Sequence, residues 1–263
     1  MFIYLKIGSK VALDNMRKGN WWFRHPAYFQ YEDICNHDKE RGDATDSQFS
    51  EKMHFTYDLQ QHVQTKVGCI PPQTISQDIF IDRPESEIDC DRILCFYRLE
   101  ADDTGKCAVV SHKMKQFGDY FSIVDMDCLI DCLNNTDSEF TKDDANYYPR
   151  NYSGFIGPFG KPTNYRHQNE FRLRLTNKRY GKQIQDNTHI QELRQLYKKA
   201  ISIMLDSHKK RDERLKSHDF AIVLEKEICK QKAEYYEEIS TKPALLTEAQ
   251  PIDQLFQDGL YLH

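Results

Sequence analysis

At Gly181 the hydrophobic pattern of the chain changes its period. Upstream, residues 53–58 and "EFRLRLTN" (170–177) alternate apolar and polar side chains, residues 2–7 do so weakly, and "RILCFYRLE" (92–100) is an apolar run of strand-forming residues. The alternation is the two-residue repeat of strands with one buried face. Downstream, "HIQELRQLYKKAISIMLD" and "DFAIVLEKEICKQKAEYYEEIS" carry apolar stripes at three-and-four spacing. Ile190, Leu193, Leu196, Tyr197, Ile201 and Leu205 make the first stripe, and Phe220, Val223, Leu224 and Ile228 the second. Charges cover the opposite faces, the pattern of helices that pack on a body or a partner. The two periods together predict an α+β fold. A mixed, mainly antiparallel sheet with short helices occupies 1–180, and a C-terminal helical hairpin forms an appendage over 181–263.

Local signals fill in the core. "KVALDNMRKGN" reads as a short helix stopped at Gly19, and "MDCLIDCLNN" as another with Met126, Leu129, Ile130 and Leu133 on one face. "WWFRHPAYFQ" is aromatic and strand-prone until Pro26 breaks it, and the polar stretch after it predicts a helix running to a loop at Gly42. Three prolines between Val67 and Glu87 predict a surface loop with one strand at "DIFID", and the Tyr-, Gly- and Pro-rich stretch from Tyr147 to Pro162 predicts loop. "LLTEAQPIDQLFQDGLYLH" has enough Leu and Phe to dock on the body.

Composition excludes several classes. The mean hydropathy of −0.75 is polar for a folded chain, but 15 Phe and 15 Tyr can still fill a core. A net charge of −5 gives no general affinity for nucleic acid, which leaves only a local basic patch such as "SHKKRDERLKSH" (207–218). No apolar run is long enough to cross a bilayer, so no membrane role is expected. The first residues lack the features of a signal peptide, and the eight cysteines form no CxxC pair. Reduced thiols and a cytoplasmic location are the expectation. His25, His37, His54, His112 and His167 show no HxH or HExxH spacing, and no metal site is predicted.

The stretch that carries chemistry is "NYRHQNEFRLRL" (164–175), where Glu170 stands at the mouth of a strand two residues after Gln168. A carboxylate held there suits a reaction that develops positive charge, because electrostatic stabilisation of an oxocarbenium-like centre needs a fixed anion. The plainer alternative is that Glu170 pairs with Arg172 or Arg174.

A Gln-x-Glu step entering a strand resembles the acidic element of ADP-ribosyltransferases. That resemblance implies NAD as cofactor, with Glu170 on the nicotinamide ribose and Gln168 orienting the acceptor as the catalytic pair. It also implies cofactor-binding residues on earlier strands, for which Lys6, Tyr97 and Arg98 are the candidates. The Ser-Thr-Ser step of such proteins is missing; "HFT" and "VVSH" lack its spacing. A wider resemblance follows the order of segments. Gly19 with Trp22 and Phe23 comes first, then Arg41-Gly42-Asp43, Cys95-Phe96-Tyr97, Phe117-Gly118-Asp119 and Glu170-Phe171-Arg172. Over residues 1–176 this order is similar to a family of bacterial and phage proteins without an assigned activity, some of them distantly similar to ADP-ribosyltransferases.

The leading expectation is therefore an NAD-dependent ADP-ribosyltransferase-like effector, in the setting of a toxin, phage or defence protein. The rival is a non-catalytic module that binds a protein partner through its C-terminal helices. A nucleic-acid-processing effector using the basic run is a third option.

Overall fold

The computed structural model describes residues 1–34, 49–59, 63–64, 69–70, 73–102, 107 and 110–257. The Arg41-Gly42-Asp43 turn lies outside the described residues. An eight-stranded antiparallel sheet organises the chain. Its strands are β1 (Phe2–Gly8), β2 (Asn20–Arg24), β3 (Asp91–Glu100), β4 (Tyr120–Val124), β5 (Glu139–Asp144), β6 (Glu170–Thr176), β7 (Tyr236–Ser240) and β8 (Gln250–Pro251). The α+β class expected from the sequence is what the chain adopts.

β3 is the hub. β6 pairs with it from Glu170↔Tyr97 to Thr176↔Asp91 and is itself bordered by β5. Tyr97 also pairs with Leu5 of β1, and Ile93 with Arg24 of β2, so both of those strands lie on the edge opposite β6. That edge is divided. β1 covers residues 97–100 and β2 touches only Ile93, and among the described residues no strand pairs with it over 94–96. The slot between β1 and β2 is where a cavity opens.

Strand alternation separates two environments. Leu94 and Phe96 of β3 share one face with Phe171, Leu173 and Leu175 of β6. They pack with Trp21 and Phe23, with Leu13 and Met16 of α1 (Lys10–Arg17), and with Met126, Leu129 and Leu133 of the helix at Met126–Leu133. A second cluster gathers Ile3, Leu5, Tyr97 and Leu99 with Phe121, Met114, Ile252 and Leu255. The side chains of β6 on the face away from Phe171 are Glu170, Arg172, Arg174 and Thr176, all charged or polar, and Glu170 lines the site from that face.

Several segments depart from the sequence reading for physical reasons. The strand ends before Pro26, as expected, and the helix expected in the polar stretch after "AYFQ" already starts within it, as α2 (Ala27–Ile34). Pro26 suits a helix N-terminus, and the His25 ring Nδ1 accepts the Ala27 N–H at 3.0 Å, which caps the new helix. Residues Gln73–Asp82 form one ten-residue strand against Phe49–Leu59, longer than "DIFID", because the prolines flank the strand and do not interrupt it. The stretch from Tyr147 to Pro162 holds short strands, with Asn146–Tyr148 parallel to Gly160–Pro162. "YYEEIS" supplies β7, not the end of a helix.

Two long helices, residues Thr188–Leu205 and Arg211–Ala233, pack as the expected hairpin through Leu193, Ala200, Ala221, Leu224 and Ile228. Leu205, Phe220 and Val223, placed in the stripes by spacing, are exposed. The hairpin is tied to the body by charge. Arg194 pairs with buried Asp89, and Lys232 lies 2.8 Å from the same carboxylate. Beyond the hairpin the chain re-enters the sheet, β7 pairing with β2 and β8 with β4. Gly19 marks the crossing point. Its φ of +102° is left-handed, and a Cβ there would stand 2.3 Å from the Thr241 carbonyl oxygen.

Candidate functional site

Glu170 is buried and held on both oxygens. Arg172 donates from Nε to Oε1 at 2.6 Å, and Lys161 donates from Nζ to Oε2 at 2.7 Å. Arg172 has no exposed side-chain surface and also donates from Nη1 to the Pro158 carbonyl at 2.9 Å. Burial alone would raise the pKa of Glu170, but the Arg172 and Lys161 charges outweigh it and hold the carboxyl well below the usual carboxylate range. The Arg172 pairing is the plainer alternative named by the sequence, and it exists. Tyr147 places its hydroxyl 2.9 Å from the Glu170 backbone N–H, which it accepts. Burial, then the Glu170 charge, push that phenol well above its ordinary pKa.

Gln168 reaches the same centre by a route that an extended chain would not provide. Residues Thr163–Gln168 form a 3-10 turn, and Asn169 ends it in the left-handed region at φ 36°. The Asn169 side-chain amide donates to the Arg98 carbonyl, and its own carbonyl accepts the Arg98 N–H, which fixes this unusual backbone against β3. With the turn so held, Gln168 Oε1 accepts from Lys161 Nζ at 2.6 Å. Lys161 is thus the meeting point of both expected catalytic residues, and sequence reasoning missed it. It sits on the strand Gly160–Pro162, inside the stretch read as loop.

A cavity of about 290 Å³ occupies the slot between β1 and β2. Lys6, Tyr97, Gln168 and Glu170 all line it, together with Lys161, Cys95 and Arg24. Four of the five residues expected at the site therefore share one pocket. Arg98 does not belong to it. Its side chain pairs instead with Asp144 of β5 and lies 4.5 Å over the Phe2 ring. The Tyr97 hydroxyl is turned to the Ser111 backbone N–H, and burial raises its pKa.

The walls are aromatic and aliphatic: Trp22, Tyr28, Phe29, Phe96, Met16 and Met114. Against them stand two cations. Lys6 donates from Nζ to the Cys95 carbonyl at 2.7 Å and lies 5.4 Å over the Phe96 ring. The Arg24 guanidinium lies between the Tyr28 and Tyr236 rings, 5.1 and 5.4 Å from their centroids. Among the described residues neither Lys6 nor Arg24 forms an ion pair. The charge excess that faces the cavity is positive, since the one carboxylate, Glu170, is already matched twice. Arg24 carried no sequence signal; only the pairing of β2 with β3 brings it to the slot.

No protein-family model, no curated protein and no solved structure matches this chain. Fold and site together define an α+β protein with an aromatic, cation-bearing pocket in a split sheet. As a seat for NAD the pocket fits in part. Its volume lies near the lower end of the ~300–1,000 Å³ typical of ligand sites, room for the flat, anionic half of a nucleotide.

Proposed function

We propose that the protein binds a small anionic ligand with a flat, apolar body in the slot between β1 and β2. A mononucleotide or an aromatic carboxylate has this chemistry. Arg24 would hold the anion, with Lys6 beside it, while Trp22, Phe29 and Phe96 cover the flat part. The observation that carries this reading is the pair of cations in an aromatic pocket with no carboxylate in ion-pair contact with either among the described residues. Both are half-buried against aromatic rings, so an anion that reaches them is partly shielded from water. The test is a melting-temperature panel with nicotinamide mononucleotide, adenosine monophosphate, phenylpyruvate, NAD and phosphate alone. A saturable rise with at least one of the flat anions, greater than with phosphate, and lost in Arg24→Gln, supports the reading. No rise with any of them overturns it.

A second reading, NAD-dependent ADP-ribosyl transfer, is favoured by the sharing of one pocket by Lys6, Tyr97, Gln168 and Glu170. Glu170 could stabilise a cationic centre only if Lys161 or Arg172 withdrew from it, so the chemistry would need a rearrangement on binding. Release of nicotinamide from NAD, lost in Glu170→Asp, would support it. No release above the uncatalysed rate would leave the binding reading alone.

A further inference from the structure

We propose that Lys6 is a nucleophilic amine that captures a small anionic aldehyde or ketone as an imine inside the slot, with Arg24 holding the carboxylate or phosphate of that compound. The inference rests on the reading of the slot as an anion site and names the substrate class. It comes from the contrast between two lysines in one cavity. Lys161 is clamped by Glu170 at 2.7 Å and Gln168 at 2.6 Å, the environment of a permanent cation. Among the described residues Lys6 forms no ion pair and donates to a neutral acceptor, the Cys95 carbonyl at 2.7 Å, beside the Phe96 ring.

A neutral amine at this position spends one N–H on that carbonyl and keeps its lone pair for an electrophile in the cavity. Burial lowers the pKa of Lys6, Cys95 and Glu170 oppose the shift, and the Arg24 charge adds to it. Desolvation beside a second cation is a known way to make a lysine reactive toward carbonyl compounds. The step needs no redox partner. Lys6 Nζ bonds to the carbonyl carbon, the C=O bond breaks, and the oxygen leaves as water with the two amine hydrogens.

The experiment uses the full chain, phenylpyruvate as an anionic ketone with a flat body, and cyanoborohydride to trap any imine. Trapping is run at pH 7, where exposed lysines near pKa 10.4 are almost wholly protonated. Phenyllactate, which has the same outline but no carbonyl, serves as competitor, and peptide mass spectrometry locates the adduct. The expected result is one adduct on Lys6, suppressed by phenyllactate, weakened in Arg24→Gln and lost in Lys6→Met. The competition is read on the unmodified chain, so the result does not depend on how either variant folds. Labelling spread over surface lysines, with phenyllactate still raising the melting temperature, overturns the imine and spares the anion site. Absence of both trapping and binding overturns both.

Discussion

Lys161 Nζ stands 2.7 Å from Glu170 Oε2 in the interior of the protein, so the carboxylate has its counter-charge before any ligand arrives. With Arg172 on its other oxygen, Glu170 belongs to a buried triad whose integrity matters to the fold.

Replacing Glu170 by Gln should therefore destabilise the protein as well as alter the site. Removing one member of a buried ionic group leaves uncompensated charge and costs about 3–5 kcal/mol. For a chain of this size the melting temperature should fall by roughly 10 °C. Thermal unfolding checks this, and a change of under about 2 °C would show that the triad is not coupled to folding.

Mild acid should loosen the contact between the helical hairpin and the sheet. His25 is fully buried; its ring Nδ1 accepts the Ala27 N–H, and Nε2 lies 3.4 Å from Asp89 Oδ1. Burial lowers its pKa to about 4, with the Arg92 and Lys232 charges adding to the effect and Asp89 opposing it. The folded state thus binds this proton more weakly than the unfolded chain. The stability of the neutral ring is complete above about pH 6.5 and is lost as pH falls toward 4, by about 3 kcal/mol. Denaturant titrations at pH 7, 5.5 and 4.5 measure the loss, which His25→Asn should flatten. Stability unchanged between pH 7 and 4.5 would refute the assignment.

Truncation after Lys182 should ruin the core and not merely shorten a tail. β7 lies against β2, and Leu245, Leu246, Ile252 and Leu255 are buried in the two apolar clusters. The truncated chain should be insoluble or bind a dye for exposed apolar surface. A soluble product with an unchanged melting temperature would mean that the C-terminal pairing is dispensable.

Much of this architecture is legible in the sequence, where local pattern decides the outcome. "EFRLRLTN" announces a strand by alternation, and "RILCFYRLE" by a short apolar run of β-branched and aromatic residues that is buried on both faces. Glu170 stands out because a carboxylate beside such a strand asks for a partner. What escaped were features created by pairing between distant segments. "YYEEIS" continues a helical pattern and becomes β7 only because β2 offers an edge. Lys161 sits in a Gly- and Pro-rich stretch whose strand is two-sided only through Asn146–Tyr148. Arg98 is drawn away to Asp144 and the Phe2 ring, partners that only the pairing of distant strands brings near.

The central claim is that Arg24, with Lys6 beside it, and not the charge of Glu170, receives an anionic ligand. The chain has two tryptophans; Trp21 is fully buried in the core, and Trp22 lines the cavity. Titrating nicotinamide mononucleotide while recording tryptophan emission should give saturable quenching, which Trp22→Phe removes. Arg24→Gln should weaken the affinity about 10- to 100-fold, the loss of one charge-assisted hydrogen bond worth about 1.5–3 kcal/mol. Quenching that is equal in Arg24→Gln and the unmodified protein, or that persists in Trp22→Phe, would contradict the account.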